Sequence, residues 1–220
     1  GDVMAKSYRM LKGYAETSFI EKKSKFISYV QPVYSEEEAL EFLGGIRKKH
    51  YDANHNCYAY ILGDTMNIQR SSDDGEPSGT AGVPILEVLR KEQLTNSIAV
   101  VTRYFGGILL GAGGLIRAYT EGASAGIKAA GSVRVQLFSV HLLRLDYSLL
   151  SKLQYEIAKK NYIIDTVEYL ENVTMKVLTE AALGDAFAED VAQWTNGTVK
   201  AEALEEQMLK VDEASGLIIK

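Results

Sequence analysis

Apolar positions along the chain change period several times, and each change predicts an element. Residues 25–33 concentrate β-branched and aromatic side chains and read as a strand that Pro32 weakens near its end. Ser35 with Glu38 three residues later forms a capping box. Ala39, Leu40, Phe42, Leu43 and Ile46 then recur at helical spacing, which predicts a helix to about residue 49. Strands are expected over 56–62 and 67–72, the second running into a turn-rich stretch from Ser72 to Gly79. Pro84 suits the first position of a short helix through residue 90. Residues 97–105 read as a buried strand, because Ile98, Ala99, Val100 and Val101 leave no polar face. Five glycines, Gly106, Gly107, Gly111, Gly113 and Gly114, follow as a flexible connection into a helix over about 114–130. Its inward stripe is Ile116, Tyr119, Ala123, Gly126, Ile127 and Ala130, and its small residues allow close approach to a sheet.

After Gly131 the order is strand 135–146, helix 148–160, strands 162–169 and 172–179, helix 182–194 and strand 198–211. That β-α-β-β-α-β order is ferredoxin-like. The fold class is therefore α+β, with a first domain over 1–134 and a ferredoxin-like second domain over 135–220. No long linker separates them.

Composition narrows the function classes. With 46% hydrophobic and 24% charged residues the chain can bury a substantial core. No apolar run approaches the roughly 20 residues needed to cross a bilayer, and no secretory pattern opens the chain, so a cytoplasmic protein is expected; the sequence does not fix its oligomeric state, and a monomer is favoured. The lone Cys57 excludes an internal disulfide and a multi-thiolate zinc site. Net charge is −5, but residues 1–139 hold 16 basic against 15 acidic side chains and residues 140–220 hold 8 against 14. An anionic partner therefore suits the first part. The clusters Lys22, Lys23, Lys25 and Arg47, Lys48, Lys49 read as solvated surface, the second also opposing a helix dipole.

Three constellations carry candidate chemistry. Asp73, Asp74 and Glu76 crowd one turn, which offers hard oxygen ligands for Mg²⁺ against a phosphate; the plainer reading is a turn whose Asp and Ser satisfy local backbone groups. Arg103 shares a strand face with Ala99 and Val101 and lies at the strand's end. Arg117 sits in the first turn of the next helix, where a cation opposes the dipole unless an anion or Glu121 offsets it. Backbone N–H groups around Gly106, Gly107, Gly113 and Gly114 with these two arginines form a candidate anion site. His50, Asp52, His55 and Cys57 are the third set. His55 and Cys57 fall on one strand face with Ala59 and Ile61, so they read as a core-edge histidine and a buried thiol, and no third ligand stands at a metal-site spacing. Nucleotide fingerprints fail: Ile116 replaces the third glycine of a dinucleotide loop, and residues 75–80 lack a P-loop lysine.

The runs from His50-Tyr51-Asp52-Ala53-Asn54-His55-Asn56-Cys57 to Tyr60, from Asp73-Asp74-Gly75-Glu76-Pro77-Ser78-Gly79-Thr80 to Pro84, and Val100-Val101-Thr102-Arg103-Tyr104-Phe105-Gly106-Gly107 through Gly111-Ala112-Gly113-Gly114-Leu115-Ile116-Arg117-Ala118-Tyr119 resemble the YigZ/IMPACT family. The second half is similar to the small ferredoxin-like domain of its bacterial members. The resemblance implies a first domain like the second domain of a small-subunit ribosomal protein and domain IV of elongation factor G, and a second like that factor's domain V. Both point to RNA, the ribosome or translation-factor proteins as partners. No catalytic residue or cofactor is carried over.

Two readings follow. In the first, Arg70, Arg103 and Arg117, with the backbone from Gly106 to Gly114, contact RNA phosphates in a non-enzymatic, translation-associated module; Tyr104, Phe105 and Tyr119 beside the arginines could add base stacking, though core packing explains Phe105 equally well. In the second, an enzyme acts on a phosphorylated or otherwise anionic substrate, with Asp74, Glu76 and His55 as candidate catalytic residues and Mg²⁺ as the one metal the turn would suit. A third arrangement has Asp74 or Glu76 simply pinning the loops by pairing with Arg103 or Arg117.

Overall fold

The computed structural model describes residues 7–219, which divide by contact into two compact units, 7–135 with 210–219 and 136–209. In the first unit lie β1 (Tyr8–Leu11), β2 (Ala15–Glu21), β3 (Ser24–Pro32), α1 (Glu36–Lys49), β4 (His55–Leu62), β5 (Ile68–Ser72), α2 (Gly82–Lys91), β6 (Ser97–Tyr104) and α3 (Gly111–Ala130). Five strands pair antiparallel in the order β2-β3-β6-β4-β5. Central β6 is buried on both faces, as its unbroken apolar run requires. One face packs Ile27, Tyr29, Tyr60, Ile98 and Val100 against Ala39, Leu43 and Ile46 of α1. The other packs Phe26, Cys57, Ala59, Val101 and their neighbours against α2 and α3. Small residues let α3 sit close, since a Cβ at Gly126 would lie 2.7 Å from Ser28 Oγ.

The sequence pattern misses β1 and β2. β2 does alternate over Ala15, Thr17 and Phe19, half-buried, but Ile20 falls on the exposed side of this edge strand and breaks the phase. α3 also begins at Gly111 rather than near residue 114. The buried stripe from Leu115 onward stabilises the helix and draws three poor helix formers into its first turn.

The remaining elements are β7 (Ser132–Leu145), α4 (Leu150–Lys159), β8 (Ile163–Tyr169), β9 (Val173–Glu180), α5 (Gly184–Trp194), β10 (Glu202–Ala203), β11 (Gln207–Asp212) and β12 (Ile218–Ile219). β7 serves both units: Ser132 to Val135 pair with β1, and Phe138 onward pairs with β9. The order β10-β7-β9-β8, with α4 and α5 packed over Leu143, Met175 and Val177, is the ferredoxin-like arrangement. The strand expected over 198–211 is broken, because Glu205 and Glu206 interrupt its apolar alternation between β10 and β11. Residues 210–219 belong to the first unit although they follow the second in sequence. Lys12 reaches Asp212 at 3.1 Å and Arg9 reaches Glu213 at 2.6 Å. The Arg9 hydrogen bond holds the Glu213 carboxyl below its ordinary range. Among the described residues no helix is long and apolar enough to cross a membrane.

Candidate functional site

Strand register brings the site together at one end of the first sheet. Phe26 of β3 and His55 of β4 both stand opposite Arg103 of β6, on the face covered by α2 and α3. Arg103 is only 5% exposed. Its Nη1 donates to both oxygens of Glu76, at 3.0 and 2.9 Å, and its Nε donates to Ser24 Oγ at 3.3 Å. Its guanidinium also lies over the rings of Phe26 and Phe105. Tyr119 of α3 donates its hydroxyl to Glu76 Oε2 at 2.5 Å, and His55 Nε2 stands 3.1 Å from Glu76 Oε1. A buried carboxylate is tolerated only with such a set of partners, so Glu76 is the hub that fixes β4, β6, α3 and the acidic turn.

The rest of that turn is consumed by its own backbone. Asp73 accepts N–H bonds from Gly79, Ala81 and Gly82. Burial alone would raise its carboxyl, but those three donors outweigh it and hold the group below its ordinary value. Asp74 accepts the Asn56 N–H through Oδ2, and its carbonyl meets His55 Nδ1 at 2.8 Å. Both ring nitrogens of His55 are therefore engaged. Cys57 is fully buried, donates to the Asp73 carbonyl, and has its thiol pushed well up by burial. Among the described residues no group of three His, Cys, Asp or Glu gathers to hold a metal ion. The donors considered for Mg²⁺ are turned instead to Arg103 and to backbone N–H groups.

The glycine loop closes the same end. Gly106 donates its N–H to Ser24 Oγ, and a Cβ there would sit 1.9 Å from the Lys23 carbonyl oxygen, so only glycine fits. Gly107 has φ +88°, a left-handed value that frees the chain to turn. Asn54 clamps the strand end by donating to the Arg103 carbonyl and accepting from the Phe105 N–H. Between this loop, the acidic turn and α3 lies a cleft of about 350 Å³, lined by His55, Glu76, Arg103, Phe105, Leu109 and Gly111 among others. Phe105 is 44% exposed and Leu109 81%. α3 opens onto this cleft with no side-chain cap on its first turn. Arg117 is exposed; its Nη1 lies 3.6 Å from where a Gly113 Cβ would be. It makes no ion pair among the described residues, so the pairing with Glu121 does not form.

The structure thus gathers His55, Glu76 and Arg103 in the cleft, with Asp74 bonded to His55 and Gly106 on the adjoining loop; Gly113 and Gly114 sit in the first turn of α3 outside the cleft lining, and Arg117, expected in that first turn, falls in the second because the helix starts at Gly111. Arg70 stands apart. It pairs in register with Tyr60, on the face of α1, and its Nε lies 3.6 Å from Glu36. Tyr119, expected to stack a base, is fully buried and instead gives its hydroxyl to Glu76, and Ser24 joins the site with no local pattern to mark it; the two meet their partners across 43 and 79 residues of chain.

Behind the site, on the α1 face, buried His50 meets the Tyr29 hydroxyl through Nε2 and the Tyr104 hydroxyl through Nδ1, and Tyr104 donates to Asp52. Burial holds the His50 imidazole below its ordinary value.

Comparison with known proteins agrees with this architecture. Residues 22–127 match the Impact N-terminal domain, and residues 143–198 match a domain of unknown function, DUF1949. The IMPACT family member YvyE of Bacillus subtilis is 42% identical over 211 residues, 96% of each chain. The IMPACT family member YigZ of Escherichia coli is 34% identical over 187 residues, 84% of this chain and 92% of its own. A crystal structure of a hypothetical protein superposes with a TM-score of 0.57 at 31% identity, over 90% of this chain and 98% of that one. With nearly end-to-end similarity to YvyE and both domain models matched in order, the chain belongs to the IMPACT family.

Proposed function

We propose that the first unit is a nucleic-acid-binding module that takes RNA into the cleft at the N-terminus of α3, and that it works in translation without catalysing a reaction. The observation that carries this reading is the composition of the cleft. An uncapped helix start opens onto it beside an exposed aromatic ring, Phe105, and a buried arginine, Arg103. Among the described residues no acceptor meets the Arg103 Nη2. Free backbone N–H groups and a desolvated guanidinium suit a phosphate, and an exposed ring suits an unstacked base. Arg103 acts chiefly as scaffold, and Arg117 is the solvent-facing cation. The link to translation rests on the family resemblance.

Against an enzyme stands the engagement of every candidate group. Asp74 and His55 are held by backbone partners, and Glu76 is neutralised by Arg103. Binding of short single-stranded RNAs across a salt series tests the proposal. Affinity should fall with salt, and Arg117→Ala should flatten that dependence by about 0.7 in log–log slope. No binding at low salt overturns it.

A further inference from the structure

The turn between β2 and β3 consists of Lys22 and Lys23, with φ of +46° and +64°. A two-residue hairpin turn with both residues left-handed is the kind that selects Asn-Gly or Asp-Gly, because Cβ crowds the neighbouring carbonyl there, which Gly avoids and Asn or Asp offsets by local hydrogen bonds. Lysine gains nothing from that backbone. Strain held at such a position points to a use for the side chains themselves. Both lysines and Lys25 are exposed, and none reaches a carboxylate among the described residues.

The turn is also fixed in place. Its Lys23 carbonyl packs on Gly106, and Ser24 Oγ accepts both the Gly106 N–H and Arg103 Nε. The backbone that carries these two unpaired lysines is therefore anchored to the loop that adjoins the cleft. Resting on the RNA-binding reading, we infer that the Lys22-Lys23 turn is a second phosphate-contacting element, which grips the backbone of single-stranded RNA whose base enters the cleft. A single strand is required because a duplex offers Phe105 no free base face.

The double variant Lys22→Asn, Lys23→Gly separates charge from fold. It relieves the turn, so the melting temperature should rise by about 2–4 °C. At the same time the salt dependence for a single-stranded uridine-rich RNA should flatten by about 1.4, two contacts at about 0.7 each. Lys22→Arg, Lys23→Arg should keep the wild-type slope. If the Asn-Gly variant keeps the wild-type slope while Arg117→Ala loses part of it, the turn is not a phosphate contact and the cleft reading stands. If wild-type protein binds no RNA at low salt, both fall. Inorganic phosphate that displaces the RNA at equal phosphate concentration overturns the inference in favour of a free-anion site.

Discussion

The two units solve the same packing problem with different materials. The ferredoxin-like unit is held by an apolar core of Leu143, Leu145, Leu153, Met175, Val177 and Phe187, and few polar groups are buried in it. The first unit buries Ser24, His50, Asn56, Glu76, Thr102 and Arg103 at one end of its sheet, all tied by hydrogen bonds. Apolar side chains of similar volume would hold such a region at least as firmly, since a buried ion pair seldom adds net stability. The first unit keeps polar groups where the ferredoxin-like unit shows that a fold does not need them. That contrast agrees with the proposal that the Arg103 end of the sheet is the binding end.

The sharpest way to break the comparison is a matched pair of core variants. Glu76→Ala leaves the Arg103 guanidinium buried without its anion and should cost about 3–5 kcal/mol. Phe187→Ala empties a fully buried site in the second unit and should cost a similar about 3–5 kcal/mol. Hydrogen exchange should localise each loss to its own unit, and only Glu76→Ala should abolish RNA binding. Equal loss of binding in both variants would remove the distinction.

That distinction is only partly legible in the sequence. The cap at Ser35 is read correctly, since Ser35 Oγ accepts the Glu38 N–H at 3.1 Å, but the reciprocal half of the box shifts by one residue, the Glu38 carboxylate accepting the Tyr34 N–H instead of that of Ser35. The apolar run of β6 and the ferredoxin-like order are equally plain, because local periodicity encodes them. Strand β1 escapes because four residues, two of them fully buried, are too short to show a period, and edge strand β2 because a half-exposed strand carries a weak one. The motif segments flag the site, but what joins them does not show. Glu76 and Arg103 are 27 residues apart, and only strand register decides that they meet while Arg70 lies on the other face. The pairing of Glu76 with Arg103 was among the arrangements the residues allowed; its burial and its Tyr119 partner were not readable from spacing.

Acid should act on the two units to different extents. His50 and His141 are both held below their ordinary value of 6.5 by burial, so each binds fewer protons folded than unfolded. Stability present above about pH 6.5 is therefore lost as pH falls toward the lower folded values, in both units. The loss below about pH 4.5 should be larger in the first unit, where Glu213 beside Arg9, Asp212 beside Lys12 and Asp73 with its three backbone donors are held below their ordinary values, than in the second, where Asp146 is held down by the Ser148 N–H, because acid must protonate each carboxylate against its partners. Denaturant midpoints followed by hydrogen exchange against pH should show this larger limb in the first unit, and Asp73→Asn should reduce it without moving the histidine limb. An undiminished limb in that variant would remove Asp73 from the account.

The smallest expected effect is the most discriminating. Ferredoxin-like sheets that bind RNA stack bases on aromatic side chains of the face away from their helices. Here that face carries Leu142, Arg144, Thr166, Thr174 and Lys176 by register, opposite the residues packed on α4 and α5, and its one ring in β7, Phe138, is buried. Its two cations therefore stand without a stacking platform. Arg144→Ala with Lys176→Ala should leave both the affinity for single-stranded RNA and its salt slope unchanged, and should shift stability by less than about 0.5 kcal/mol per site. A flattening of the slope by about 0.7 per residue would instead mean that the ferredoxin-like unit meets phosphates as well. The polar cluster around Glu76 would then be one binding feature of two.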